Sequence, residues 1–297
     1  MNAKFVDIHQ AADYIGPGAI EVPIYQSEIT DLVRRRGLFG QRIKQVPATG
    51  HPSRYFEQAA RGRVEKSVPL KALVAEINYN LFDLELGKQQ AQFTYLQARD
   101  LTDTVDGVLR THDVALWNGT DTSLSAPTTN QYFGVADQIA AGNSMNIGAG
   151  FSIVDGLKDA VAKMVATGAR PTAIYANPVL LDLLDRELKS DFNVALGTKT
   201  IENGAVVKVL STQAGFLPLI PEWTLPYTGV PGSGSAVLPA YIVTEDLIEY
   251  HWLSDPNPRV FQSGTFGAGA SSYTVVKFGA IVVKNADYAH CQVLVDR

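Results

Sequence analysis

Residues Phe151 to Asp191 (FSIVDGLKDAVAKMVATGARPTAIYANPVLLDLLDRELKSD) constrain the fold of this chain more than any other stretch. Ser152 and Asp155 match the S-x-x-[DE] capping box, in which each side chain satisfies the other residue's free backbone N–H. Val154, Leu157, Val161, Met164 and Val165 recur at helical spacing, and Gly168 stops the helix. Thr172 to Ala176 reads as one brief buried strand. Asn177 then caps a second helix with Pro178 at its first position, and Leu181, Leu184 and Leu188 line one face. A helix, a strand and a helix are thus predicted in succession, each with its own start and stop.

A second helix-forming run spans Gln97 to Trp117. Leu101, Val105, Val108 or Leu109, and Leu116 keep an apolar stripe, while Asp100, Asp103, Asp106 and Asp113 fall mostly off it. Asn118-Gly119-Thr120-Asp121 ends the run. Asn80 to Leu86 alternates as a half-buried strand, with Phe82, Leu84 and Leu86 on one face. Asn203-Gly204 is a hairpin turn between Thr198–Ile201 and Ala205–Leu210. The C-terminal part is β-rich, over Tyr241–Thr244, Leu247–Trp252, Tyr273–Lys284 and His290–Val295. Thr120 to Gly150 carries no strong pattern, and Pro226 to Pro239 (PYTGVPGSGSAVLP) has the composition of a flexible loop.

These elements, in this order, resemble the major capsid proteins of tailed bacteriophages with the Hong Kong 97-type fold, which encapsulins share. In that family a helix of the peripheral domain leads into the first strand of the axial domain, and an Asn-Pro opens the next helix, as Asn177-Pro178 does here. The long spine helix of the family often ends in an apolar pair followed by an Asn-Gly-Asp turn. Leu116-Trp117-Asn118-Gly119 with Asp121 is similar, displaced by one residue.

The resemblance implies an α+β fold divided as follows: an N-terminal arm over 1–40, an extended hairpin loop over 41–80, and a peripheral domain with the spine helix over 81–170. An axial domain covers 171–240, and C-terminal strands return over 241–297. It implies a structural protein whose copies form pentamers and hexamers of an icosahedral shell around double-stranded DNA. Scaffolding, portal and decoration proteins are possible partners. The expected location is the virion capsid, after synthesis in a host cytoplasm. An encapsulin nanocompartment is the alternative within the fold, and a soluble α+β enzyme with dispersed site residues is the alternative outside it.

Charge points to where copies meet. Arg34 to Lys71 holds ten basic residues against two acidic ones, a balance of +8 that leaves −13 on the rest of the 297-residue chain. Such a split implies an acidic partner for the basic segment. A solvated loop and stacking of single-stranded nucleic acid on Tyr55 and Phe56 are the other readings. The resemblance favours subunit contact, because arm and extended loop reach neighbouring subunits in that family. Arg34, Arg35, Arg36, Arg61, Arg63 and Lys66 are therefore expected against acidic surface of another copy, on the Asp100, Asp103 and Asp106 side of the spine helix. Charged residues make up only 19% of the chain, in keeping with surface buried between copies.

Catalytic and cofactor signatures do not assemble. The Gly-x-Gly pairs complete no dinucleotide or phosphate loop, the five histidines lack metal spacing, and no G-x-S-x-G occurs. His290 and Cys291 are neighbours in a predicted strand and so point to opposite faces. Asp182, Asp185, Glu187 and Asp191, interleaved with Arg186 and Lys189, read as a solvated helix face. No cofactor and no metal is expected. No apolar run is long enough to cross a membrane, and the lone Cys291 allows no intrachain disulfide. Some relatives lock their shells with a Lys–Asn bond. Lys66 or Lys71 could supply the amine, but Gln262 to Lys277 lacks asparagine, so no cross-link is expected. A separate scaffolding protein, or none, is expected.

Overall fold

The computed structural model describes residues 36–59, 62–80, 93–120, 132–191, 196–200, 206–225, 227–229, 236–253, 255–265 and 270–297. The arm expected over 1–40 lies outside them up to residue 35, as do residues 81–86 of the strand expected over Asn80–Leu86 and the Asn203-Gly204 turn. The described chain opens with one helical turn, α1 (Phe39–Arg42), and a short strand, β1 (Lys44–Pro47). An antiparallel ribbon follows, β2 (Ser53–Ala59) with β3 (Gly62–Val68), then β4 (Lys71–Asn80). The long helix α2 (Phe93–Asn118) begins four residues before its predicted start. Val108, Ala115, Leu116 and Trp117 are buried along it, with Leu101 and Val105 packed beside them. Asp113, expected off the apolar stripe, is only 2% exposed, because Arg36 and the Gly37 amide bring it partners from another part of the chain.

Beyond α2 the backbone doubles back at very close range. The Gly119 amide donates to Ala115 O at 2.9 Å, the Gly134 amide donates to Gly119 O at 3.0 Å, and Thr120 bridges to Phe133. A Cβ on Gly119 would stand 1.9 Å from Tyr132 O, and one on Gly134 would stand 2.5 Å from Trp117 O. The Asn-Gly turn is glycine because two backbones occupy the space of a side chain. Tyr132, from the stretch without a pattern, is fully buried there. A short helix α3 (Val135–Gln138) and strand β5 (Ser144–Ile147) complete this connection.

Next come α4 (Ile153–Ala166), β6 (Ala173–Ala176) and α5 (Pro178–Asp191), in the predicted order. Asn177 Oδ1 accepts from the Val179 amide at 3.0 Å, and the buried face of α5 is Leu180, Leu184 and Leu188, with Leu181 partly covered. Ser152 Oγ accepts from the Asp155 amide at 3.1 Å. Glu187 of α5 supplies further capping: it accepts from the amides of Ile153 (3.0 Å) and Val154 (3.3 Å) and from the Ser152 hydroxyl (2.6 Å). A carboxylate at a helix N-terminus meets both free N–H groups and the positive end of the helix dipole. Glu187 is therefore not on a solvated face, in contrast to Asp182, which pairs with Arg186 in solvent.

β7 (Gly197–Thr200) pairs antiparallel with β8 (Val206–Thr212), as the hairpin reading requires, and β9 (Gly215–Pro221) continues the sheet. The C-terminal strands are β10 (Val237–Val243), β11 (Ile248–Trp252), β12 (Arg259–Thr265), β13 (Ala270–Val283) and β14 (Cys291–Asp296). Val237 to Pro239, read as loop, thus belong to a strand, paired with Leu294 to Asp296 of β14.

Two larger sheets result. One has the order β1-β11-β13-β12, with β4 pairing along β13; the other has the order β5-β14-β10-β6-β9-β8-β7. Helices α4 and α5 cover the second sheet with one apolar core. Another core joins α1, α2 and residues of both sheets, and its centre is aromatic. Trp117 has Phe39 at 4.0 Å, Tyr241 at 4.8 Å and Tyr175 at 5.3 Å between ring centroids. Each such pair contributes about 0.5–1.5 kcal/mol beyond its buried area.

Candidate subunit-contact surface

The ribbon β2–β3 has two unlike faces, because directly opposed residues of antiparallel strands share a side. Arg54, Phe56, Glu65 and Ser67 stand on the outer face, where Phe56 is 60% exposed and Arg54 pairs with Glu65 at 3.2 Å. Arg63 is also exposed on that side. Ser53, Tyr55, Glu57, Lys66 and Val68 stand on the inner face. Val68 and Leu70 there pack on Ala280 and Val282 of β13, with Ala48 and Tyr55 at the margin.

Polar groups fix the root of the ribbon. Ser53 Oγ lies 2.7 Å from His251 Nδ1, and His251 Nε2 lies 3.2 Å from Glu249 Oε2. Lys284 and Lys44 reach the same glutamate at 2.7 and 3.6 Å. Burial acts to raise the Glu249 carboxyl, but Lys284 and His251 outweigh it and hold it below the usual carboxylate range. Farther along, Glu57 is 8% exposed, pairs with Lys66 at 2.6 Å and accepts from the Asn285 amide at 3.2 Å. The order Ser–His–Glu has the connectivity of a nucleophilic triad. Ser53 is fully buried, however, and its hydroxyl cannot meet a substrate, so the network acts as a clamp on the ribbon.

The expected contact residues separate into three groups. Arg34, Arg35 and Arg61 lie outside the described residues. Arg36 and Lys66 are satisfied within their own chain. Arg36 forks onto Asp113 through Nε (3.2 Å) and Nη2 (3.3 Å), and Lys66 holds Glu57. Arg63 remains exposed on the ribbon, and Asp100, Asp103 and Asp106 are exposed on α2. Sequence reasoning missed the clamp residues Ser53, Glu57, Glu249 and His251. An alternating Ser53-Tyr55-Glu57 pattern beside the basic run was the one available signal.

His290 and Cys291 are both buried. The Thr244 amide points at His290 Nδ1 (3.4 Å), which leaves Nε2 to donate to Lys284 O (3.1 Å), and burial lowers this imidazole to about 4. Burial likewise pushes the Cys291 thiol up to about 11. The thiol should therefore resist an aromatic disulfide reagent in the native protein and react at once in denaturant; rapid native labelling would contradict the burial. Among the described residues, no helix is long and apolar enough to cross a membrane, and no group of His, Cys, Asp and Glu is placed to hold a metal ion.

No family model matches the sequence, and no curated protein does. Solved structures do match. The holo-SrpI encapsulin complex from Synechococcus elongatus PCC 7942 is 13% identical, with a TM-score of 0.63 over 97% of this chain and 94% of that one. The capsid of an empty GTA particle is 15% identical, with a TM-score of 0.57 over 91% and 100%. The satellite phage P4 procapsid is 13% identical, with a TM-score of 0.54 over 87% and 95%. The chain has the Hong Kong 97-type fold. The encapsulin match runs over nearly the whole chain.

Proposed function

We propose that this chain is a major capsid protein: a structural subunit, not an enzyme, whose copies close into an icosahedral shell around double-stranded DNA. The observation that carries this is the near-complete two-way coverage against an encapsulin, a procapsid and an empty-particle capsid. A chain that matches shell subunits over nearly their whole length carries the surfaces by which such subunits can meet copies of themselves. On this reading β2–β3 is the extended loop, α2 the spine helix, and the sheet flanked by α4 and α5 the axial domain. The shell would be built of pentamers and hexamers, with synthesis in a host cytoplasm and with scaffolding, portal and decoration proteins as further partners.

Size-exclusion chromatography with negative-stain microscopy tests the shell. Megadalton closed particles are expected, and a monodisperse small oligomer would overturn the reading. An encapsulin is the second reading, favoured by the TM-score and coverage of the encapsulin match. Nuclease-protected DNA inside particles made in an infected or induced host supports the capsid, and a protein cargo without DNA supports the encapsulin. Boiling the particles in detergent should release monomers of the chain's own mass; a ladder of covalent oligomers would show a cross-link after all.

A further inference from the structure

The segment Arg36–Arg42 is held by carboxylates from three separate places. Asp113 of α2 takes the Arg36 guanidinium and the Gly37 amide (2.9 Å). Glu222, just after β9, takes the amides of Leu38 and Phe39, both at 2.9 Å, and the Thr224 hydroxyl at 2.7 Å. Glu245, just after β10, takes Arg42 through two bonds of 2.6 and 2.9 Å, along with the hydroxyls of Tyr175 and Thr172. Phe39 fills the space between Trp117 of α2 and Tyr175 of β6. Gly37 leaves no slack, for a Cβ there would stand 3.0 Å from Glu222 Oε1 and 3.2 Å from both Asp113 Cβ and Thr224 Cγ2.

The three anchors are not equivalent. Asp113 and Glu245 each face an arginine. Glu222 is 0% exposed and, among the described residues, has no cation in ion-pair contact. A buried carboxylate with no cation beside it has its desolvation cost opposed by its hydrogen bonds alone.

We propose that Arg36–Arg42 is a latch tying α2 to the second sheet, and that the ionisation of Glu222 sets how often it opens. When the latch is closed the carboxylate is buried; when it is open the carboxylate is in water. Burial raises the Glu222 carboxyl above its ordinary value, against the opposing effect of its hydrogen bonds. The closed state therefore binds a proton more readily than the open state, so closure strengthens as pH falls towards the ordinary glutamate range and weakens as pH rises through the raised value. The other groups at the latch are placed differently. Asp113, also raised by burial, faces Arg36 and, from β13, Lys277, which burial lowers to about 8; His112 stands beside it on α2 and is held neutral by burial. Glu245 faces Arg42 and Tyr175.

Hydrogen exchange on the purified full-length protein reads the latch residue by residue. After correction for intrinsic rates, protection of the Leu38 and Phe39 amides should rise as pH is lowered from neutral towards the ordinary glutamate range, by at most about tenfold per pH unit for one proton. Glu222→Gln, which keeps an acceptor but cannot ionise, should remove most of that profile, and Asp113→Asn, which takes away a second raised carboxyl, should reduce it less. Thr224→Val removes a donor to the ionised form and should move the profile to higher pH. A flat profile in the unmodified protein would overturn the proposal whether or not the variants fold. An unchanged profile in Glu222→Gln, or one lost only in Asp113→Asn, would overturn it as well. These outcomes are read on the subunit's own amides, and stand whether or not the shell encloses DNA.

Discussion

Gly134→Ala should destabilise the subunit by more than ordinary overpacking does. A methyl group there would sit 2.5 Å from both Gly119 N and Trp117 O, and neither is the end of a flexible side chain. Relief requires moving the end of α2, which carries Trp117 into contact with Phe39, Tyr175 and Tyr241. Ordinary overpacking costs about 1–3 kcal/mol, and a clash with two fixed backbones should exceed that range. Set against a typical stability of about 5–15 kcal/mol, a cost above about 4 kcal/mol removes a large share of the margin and should lower the unfolding midpoint accordingly. Gly119→Ala should act alike, with Tyr132 O only 1.9 Å away. Gly107 is the internal control: it lies within α2 with nothing inside 4 Å of its would-be Cβ, so Gly107→Ala should stabilise by up to about 1 kcal/mol. Urea unfolding of the dissociated subunit measures all three. A Gly134→Ala midpoint equal to that of the unmodified chain would mean the close approach is not obligatory.

What was legible in the sequence was local. The run from α4 through β6 to α5 declares itself because caps, breakers and apolar spacing all lie within one stretch, and the misreading of Glu187 has a non-local cause. Glu187 looked solvated because its partner, the N-terminus of α4, is 34 residues away along the chain. β4 and β12 went unread for a related reason. Arg259 to Gln262 of β12 are exposed on both faces, so they show no alternation, and β4 is defined chiefly by its pairing with β13. The buried carboxylates were the least legible of all. Asp113, Glu222 and Glu245 reach partners 77, 184 and 203 residues away, and no period or motif encodes such a meeting. Ser53 and His251, 198 residues apart, belong with them. The basic segment was visible as charge, but charge alone did not separate arginines spent inside the subunit from those left on its surface.

That separation makes reversing Arg36 and reversing Arg63 fail in different ways. Arg36→Glu would bring a second carboxylate up to Asp113, which is 2% exposed and would lose the fork of charge-assisted bonds from Arg36. Breaking a buried pair from one side costs about 3–5 kcal/mol; with the Arg36 side chain 37% exposed, solvent screening places the expected loss at the low end, about 3 kcal/mol. Its defect should appear as lost stability before any question of assembly arises. Arg63→Glu changes an exposed ribbon residue, and should alter subunit stability by no more than about 0.5 kcal/mol. If the outer face of the ribbon meets the Asp100, Asp103 and Asp106 side of α2 in another copy, this folded variant should form few shells. High salt should weaken assembly of the unmodified protein in the same sense, because exposed charges are screened beyond about 8 Å at physiological ionic strength. One exposed pair contributes only about 0–1 kcal/mol, but a closed shell repeats it at every copy. Asp103→Lys with Asp106→Lys should then restore particles to the Arg63→Glu variant, scored by sedimentation and microscopy. Normal shells from Arg63→Glu that no longer retain DNA would place the ribbon's basic face on the genome, and the contact between copies would have to be sought elsewhere.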